Sequence, residues 1–414
     1  MDFPSVLNTV SQAASSPYIQ TGITEDERQN LYRACEKLSA CLETPMDRLL
    51  RTSMDFASIA ILRVAIDIGI FGLFAKEDKP HQEFDVSEIA THTKTDQDLI
   101  CRIMRLLIMH HIFDVTTEGK CRANDFTKSF QAQGCAHDII VLISGLFIPL
   151  FGKLPAYFQQ NGDEFPDNAY QGLFQDVFNT KLHLYDWFNE NKVEQAAFHR
   201  LMAARPSSDG TMWTEYIPEE WFRGKFLSAE ARYQEFTFVD IGASSGYVLN
   251  AIMQRLPKLH VRLILQDLPE VTKERNRSTI PGEAVPDTER HIEKMGHNFF
   301  DKQPIRGASV YILARVLHNW PDKEASLILQ HIHAAMDHKS TLLIHECVFS
   351  DKLEEVSYQD AISDMTMMAA LSSLERSEGQ FRKLLSSAGL SLISVWRSSS
   401  TESKQAILEV IREG

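Results

Sequence analysis

The stretch FVDIGASSGYVL, residues 238–249, runs from an apolar segment through Asp240 into a turn framed by Gly242 and Gly246. Ser244 lies between the two glycines, and helix-like residues follow. A strand that ends in such a turn before a helix is a common grip on a nucleotide-type cofactor, because glycine lets the backbone approach the ligand closely. The turn alone is a weak signal. A second segment, VRLILQDL (261–268), ends in Asp267. An acid at that strand end, roughly 20 residues beyond the turn, is placed to accept hydrogen bonds from ribose hydroxyls. The pairing of turn and acid is the informative feature. GASSG is neither the Gly-x-Gly-x-x-Gly of a dinucleotide site nor the Gly-Lys-Ser/Thr of a triphosphate loop. S-adenosylmethionine remains as the common cofactor with a ribose to hold and no phosphate to cradle.

The elements that must position these residues alternate from residue 236 onward. Strand-like segments are FTFVDIG (236–242), VRLILQDL, SVYILARVL (309–317), STLLIHECVF (340–349), LSLISVW (390–396) and QAILEVI (405–411), with helix-like text between them. This pattern predicts an α/β fold with a mostly parallel sheet covered on both faces. Its ligands bind beyond the carboxyl ends of the strands, where the strand order reverses. Ahead of it, residues 85–125 read as a short helix, a turn, a longer amphipathic helix, a strand and a hairpin turn, the pattern of a winged helix-turn-helix. Asp96 and Asp98 open its second helix, where a DNA reader needs Arg or Asn, so a dimerisation module is expected. The apolar segment 59–74 suits a dimer interface or a domain junction, and TPMDRLL (44–50) predicts a helix capped by Thr44 with Pro45 at its first position. From 135 to 230 the text is helical and rich in aromatics, such as Phe174, Trp187 and Phe188, and is expected to line a pocket. The expected organisation is thus 1–130 as a helical, winged-helix dimerisation domain, 131–230 as a helical linker and pocket region, and 231–414 as the catalytic domain.

Composition narrows the function classes. A formal net charge of −14 argues against nucleic acid or an anionic membrane as the main partner. The first 20 residues lack the basic region and continuous apolar core of a signal peptide. The apolar run IIVLISGLFIPLFG (139–152) is too short to span a bilayer. Six cysteines without a C-x-x-C suggest free thiols in a reducing compartment, so a cytoplasmic location is expected. The histidines of HIH (331–333) are two apart and would point apart on a helix, and no metal is expected.

Six segments in order carry a resemblance: VDIGASSG, LILQDLPEV (263–271), HNFF (297–300), GASVYILARVLHNWPDKEA (307–325), LLIHE (342–346) and LERSEGQF (374–381). Together they resemble the motifs of the fungal and plant O-methyltransferases that use S-adenosylmethionine, over roughly residues 40–412. The resemblance implies a Rossmann-like class I methyltransferase domain with a seven-stranded, mostly parallel sheet, behind a winged-helix dimerisation domain that makes a homodimer. It implies that His318 is the catalytic base, flanked by Glu346 and Glu375. A histidine suits the task because it titrates near neutrality, whereas a phenol stays largely protonated there. Cofactor contacts are implied at Gly242, Ser244, Gly246, Asp267, Leu268, Asn298, Phe299 and Ala314, and acceptor contacts at Met367 and Leu371. Several positions depart from the family's usual text: Ala243 and Ser244 replace glycines, Asn298 replaces an acid, Ala314 replaces a cation and Asn319 replaces an acid. The implied function is methylation of a phenolic or enolic hydroxyl on a polyketide-like secondary metabolite. The alternative is a pericyclase on the same fold, since the fungal family includes enzymes that steer a dehydration, cycloaddition or rearrangement without moving a methyl group.

Overall fold

The structure is a computed structural model that describes residues 3–14, 16, 22–75, 82–132, 134–208, 216–230, 236–244, 246–255, 261–274, 292–397 and 404–413. The chain divides into two compact units, Met1–Leu62 and Arg63–Gly414. In the first, helix Glu25–Leu42 begins with a capping box: the Thr24 hydroxyl accepts from the Glu27 N–H, and the Glu27 carboxylate accepts from the Thr24 N–H at 2.8 Å. Thr44 caps the start of helix Pro45–Asp67 in the same way with Asp47, and Pro45 holds the first helical position as the sequence predicts.

The second unit contains a small winged domain. Its strands β1 (Glu83–Phe84), β2 (Phe113–Val115) and β3 (Cys121–Ala123) form an antiparallel sheet in the order β1-β3-β2. Helix Gln97–Met109 buries Ile100, Ile103, Met104 and Leu107 on one stripe, the i, i+3, i+4, i+7 spacing of an amphipathic helix. Asp96 is its N-cap, accepting the Leu99 N–H at 3.0 Å.

A helical region follows. Residues 135–161 form one continuous stretch of 27 residues, long and apolar enough to cross a membrane by length and composition, which is longer than the sequence pattern suggests. The extension has a local cause. A π-turn at Ile143–Phe147 lets the Ile148 N–H bond the Ile143 carbonyl, so Pro149 enters the helix without a break. Leu142, Leu146 and Leu150 bury against Phe174, Trp187 and Leu371, and Asp138 is paired with Arg200 at 2.6 Å. The face that carries Leu142, Leu146 and Leu150 is therefore part of a helical core.

The main sheet has the order β6-β5-β4-β7-β8-β10-β9. Its strands are β4 (Phe236–Ile241), β5 (Val261–Asp267), β6 (Ile292–Gly296), β7 (Val310–Ala314), β8 (Thr341–Cys347), β9 (Leu390–Arg397) and β10 (Gln405–Arg412). All neighbours run parallel except β10, which is antiparallel to β8 and β9. The strand alternation divides the core in two. Val239, Tyr311, Leu313 and Ile344 pack on one face with helices Asp322–Ala335 and Glu378–Ser387. Phe238, Leu265, Ile312 and Leu343 pack on the other with helix Tyr247–Arg255. Burial on both faces explains why these strands read as nearly continuous apolar runs. The edge strand β6, IEKMG, does not read as a strand, because only Ile292 is buried along it. Strand order reverses between β4 and β7, and the crevice beyond their carboxyl ends is where such a sheet takes its ligand.

Candidate active site

The side of the crevice on β4 and β5 is built from backbone. After Ile241 the chain turns through Gly242, whose φ is +71°, a left-handed conformation that glycine adopts without penalty. A Cβ there would lie 3.0 Å from Val316 Cγ2, so glycine also permits the close approach of the segment after β7. Gly242 and Ala243 donate to the Gln266 carbonyl at 2.9 and 3.0 Å. Ser244 keeps a left-handed φ of +43° despite its side chain, and its N–H donates to Asp267 Oδ2 at 2.7 Å. The Leu268 N–H donates to Asp267 Oδ1 at 2.7 Å. These two amides hold the Asp267 carboxylate in place at the end of β5. Past β6, Asn298 Oδ1 accepts the Phe300 N–H at 3.0 Å, and Phe299 and Phe300 meet the Trp320 ring edge-on at centroid distances of 5.9 and 4.7 Å. Ala314, the last residue of β7, is half-buried.

The side on β7 and β8 is built from buried side chains. His318 lies in a short 3₁₀ turn, Leu317–Asn319, just beyond β7. Its Nδ1 is 2.9 Å from Glu375 Oε1, and both groups are buried. That contact makes Nδ1 the donor and leaves Nε2 as the basic nitrogen. Glu346, fully buried at the end of β8, has a different task from the ring-flanking one that the resemblance implies. Its Oε1 accepts the N–H groups of Val316, Leu317 and His318 at 2.9, 2.8 and 3.4 Å, fixing the backbone of the turn rather than the imidazole. Burial pushes the Glu346 carboxyl above its usual range. Ligand atoms of His318, Glu346 and Glu375 lie within 4.8 Å of one another, as in a metal site, but Nδ1 and the Glu346 Oε1 are engaged in hydrogen bonds inside the protein.

Two further histidines flank this cluster, and neither can serve as a base near neutrality. Burial drives His345 down to about 3 and His183 down to about 4. His183 instead stacks on Trp320 at 4.4 Å and 11°. Helix Tyr358–Leu371, capped by Ser357, places Met367 and Leu371 one turn apart. Met367 is half-buried and Leu371 buried, both in the helical core with Leu146, Phe174 and Trp187.

The sequence reading passed over Arg376. It is 1% exposed. Its Nη1 donates to the Leu317 carbonyl and its Nη2 to the Trp320 carbonyl, each at 2.8 Å, and Nε and Nη2 both reach Asp322 Oδ1. Arg376 thus ties the turn that carries His318 to the segment that carries Glu375. The neighbouring N–H of Glu375 is held by Asp364 Oδ1 at 2.8 Å.

Family comparisons agree with this geometry. An O-methyltransferase domain matches residues 220–391 and an O-methyltransferase dimerisation domain matches residues 50–132. The chain is 30% identical to O-methyltransferase mfmE of Annulohypoxylon moriforme, covering 95% of this chain and 92% of that one. The chain belongs to the O-methyltransferase family. Among solved structures, LepI in complex with SAM superposes with a TM-score of 0.79 at 25% identity, over 98% of this chain and 100% of that one. A structure described as a pericyclic reaction enzyme superposes at 0.80 with 25% identity and the same coverage.

The enzyme is thus an S-adenosylmethionine-dependent O-methyltransferase with the class I methyltransferase fold. The residues present fit that cofactor. Asp267 is held ready for a ribose diol, Phe299 stands 3.7 Å from the position of a Gly242 Cβ, and the turn itself, residues 242–246, contains no Lys or Arg to grip a phosphate.

Proposed function

We propose that this O-methyltransferase methylates a phenolic or enolic hydroxyl of a polyketide-like secondary metabolite, with His318 as general base. The observation that carries this reading is the buried His318–Glu375 pair at 2.9 Å beyond the switch point of the sheet. S-adenosylmethionine, when bound, supplies an already activated methyl group. The protein has to align the acceptor and remove its proton. In this reading Nε2 of His318 takes the hydroxyl proton, and the Glu375 carboxylate stabilises the imidazolium that results. Glu346 and Arg376 hold the turn still. Gly242, Ser244, Gly246, Asp267, Leu268, Asn298, Phe299 and Ala314 face the cofactor, while Met367 and Leu371 border the acceptor. Residues 131–230 wall the pocket, and residues 1–130 make the homodimer. All six cysteines are free thiols, which supports a cytosolic location.

The test is to incubate the purified protein with S-adenosylmethionine and a panel of hydroxylated aromatic polyketides, and to look by mass spectrometry for the gain of one CH2. His318→Ala is expected to lower turnover by on the order of 10³-fold while calorimetric binding of S-adenosylhomocysteine stays unchanged. Methylation that survives in the variant removes His318 from the role. The second reading, a pericyclase, is supported by the likeness to the pericyclic reaction enzyme and by Ser244, Asn298 and Ala314 on the cofactor side. Rearrangement of a polyketide precursor with no methyl gain would decide for it.

A further inference from the structure

Arg315 is the first residue beyond β7, at the point where the strand order reverses. Its backbone is left-handed, with φ at +57°. For a residue with a Cβ that conformation costs roughly 1–2 kcal/mol, and here two contacts hold it: the Arg315 N–H donates to the His345 carbonyl at 2.9 Å, and its carbonyl accepts from Asn319 Nδ2 at 3.0 Å. Strain of this kind gathers at functional sites, where it re-aims a side chain. The guanidinium is half-buried, yet among the described residues it has no hydrogen-bond or ion-pair partner. Arg200 and Arg376, by contrast, each reach an aspartate with two nitrogens. A guanidinium carries five donors in a planar fork that suits an oxygen acceptor.

Tyr185, in helix Leu184–Glu190, packs beside His183, whose ring stacks on Trp320 just past the turn of His318. Its phenol lies within electrostatic reach of Arg315 after β7, Glu346 at the end of β8 and Asp267 at the end of β5. Those three residues sit at strand ends on both sides of the switch point. Burial keeps its hydroxyl protonated and hence a donor. No described residue bonds that hydroxyl. The base side of the crevice is acidic, with Glu346 and Glu375 buried around His318. An acceptor that loses its proton there gains a negative charge, while the imidazolium formed on His318 is already met by the Glu375 carboxylate.

We propose that Arg315 and Tyr185 bind a second oxygen of the acceptor: a carbonyl conjugated with the hydroxyl that loses its proton, as in an ortho- or peri-hydroxylated aryl ketone. Charge released when the hydroxyl ionises spreads onto that carbonyl, and the guanidinium stabilises it where it collects. This assignment rests on the proposed deprotonation by His318. The carboxylate of the cofactor is the other oxyanion that could meet Arg315, and the experiment separates the two.

Binding of 1-hydroxyanthraquinone, of its carbonyl-free counterpart 1-anthrol, and of S-adenosylhomocysteine is measured for the wild type, Arg315→Gln, Arg315→Lys and Tyr185→Phe. The wild type is expected to prefer the hydroxyketone. Arg315→Gln should weaken that ligand by about ten-fold and leave 1-anthrol and S-adenosylhomocysteine within about two-fold of the wild type. Tyr185→Phe should shift the same ligand in the same direction by less, and Arg315→Lys should fall between. The visible spectrum of bound 1-hydroxyanthraquinone should show the anion at lower pH in the wild type than in Arg315→Gln. Retained S-adenosylhomocysteine binding serves as the check that each variant is folded, and Tyr185→Phe carries the test if Arg315→Gln does not fold. A wild type without preference for the hydroxyketone overturns the proposal, as do equal losses for both aromatic ligands, a loss confined to S-adenosylhomocysteine, or no change. Methyl gain on the same ligands is scored separately. A ligand preference that depends on Arg315 without methylation strikes the methyl-transfer reading and leaves the binding site standing.

Discussion

The two sides of the crevice are built by different means. On the β4–β5 side the positions are set by main-chain groups: Ser244 and Leu268 amides hold Asp267, and the Gln266 carbonyl holds the turn. On the β7–β8 side they are set by side chains: Glu346 caps the turn, Glu375 bonds His318, and Arg376 bridges the two segments. A main-chain scaffold survives a change of side chain, provided the new residue tolerates the backbone conformation. A side-chain scaffold does not. This explains how Ser244 can stand in the cofactor turn without loosening the hold on Asp267.

The contrast breaks if a side-chain change on the β7–β8 side proves harmless. Glu375→Gln keeps the shape but offers His318 either an amide oxygen or an amide N–H, so the ring tautomer is no longer fixed. Turnover should fall on the order of 10²-fold, with S-adenosylhomocysteine affinity unchanged by calorimetry. A loss of cofactor binding instead would show that the two sides are not separable. Arg376→Met is next in size. It leaves the Leu317 and Trp320 carbonyls buried without their donor, which should lower the free energy of urea unfolding by about 2 kcal/mol. Turnover should fall as well, because the 3₁₀ turn loses its tether to the Glu375 segment. Unchanged stability with unchanged turnover would remove Arg376 from the frame.

The same division decides what could be read from sequence. Asp267 and Gly242 were legible because each sits at a strand end, and strand ends follow from apolar runs and turns; His318 also sits past a strand end, but its role came through the resemblance. Asn298 and Phe299 came only through the resemblance, since β6 is a polar edge strand without a period-2 pattern. The task of Glu346 was not legible: whether an acid bonds an imidazole or three amides depends on a turn 28 to 30 residues away in sequence. Arg376 and Arg315 were missed for related reasons. The first acts across more than 50 residues of chain, and the second owes its direction to a left-handed φ that an Arg does not advertise. The apolar run 139–152 read as too short to span a bilayer, whereas the helix 135–161 extends beyond it at both ends and a π-turn carries it past Pro149.

The smallest effect is the sharpest test of the main-chain side. If Ser244 serves through its amide, Ser244→Gly should keep the bond to Asp267 and relieve a left-handed residue, stabilising the fold by up to about 1 kcal/mol. Part of that gain is offset by the greater freedom of glycine in the unfolded chain. Affinity for S-adenosylhomocysteine should change by less than about three-fold. Ser244→Val should behave oppositely, because a β-branched residue resists positive φ; the turn should shift, and with it the carboxylate of Asp267. Equal affinities for the glycine and valine variants would mean that the turn does not position Asp267. A large gain with glycine would mean instead that the serine side chain obstructs the cofactor, so that this side of the crevice is governed by its side chains after all.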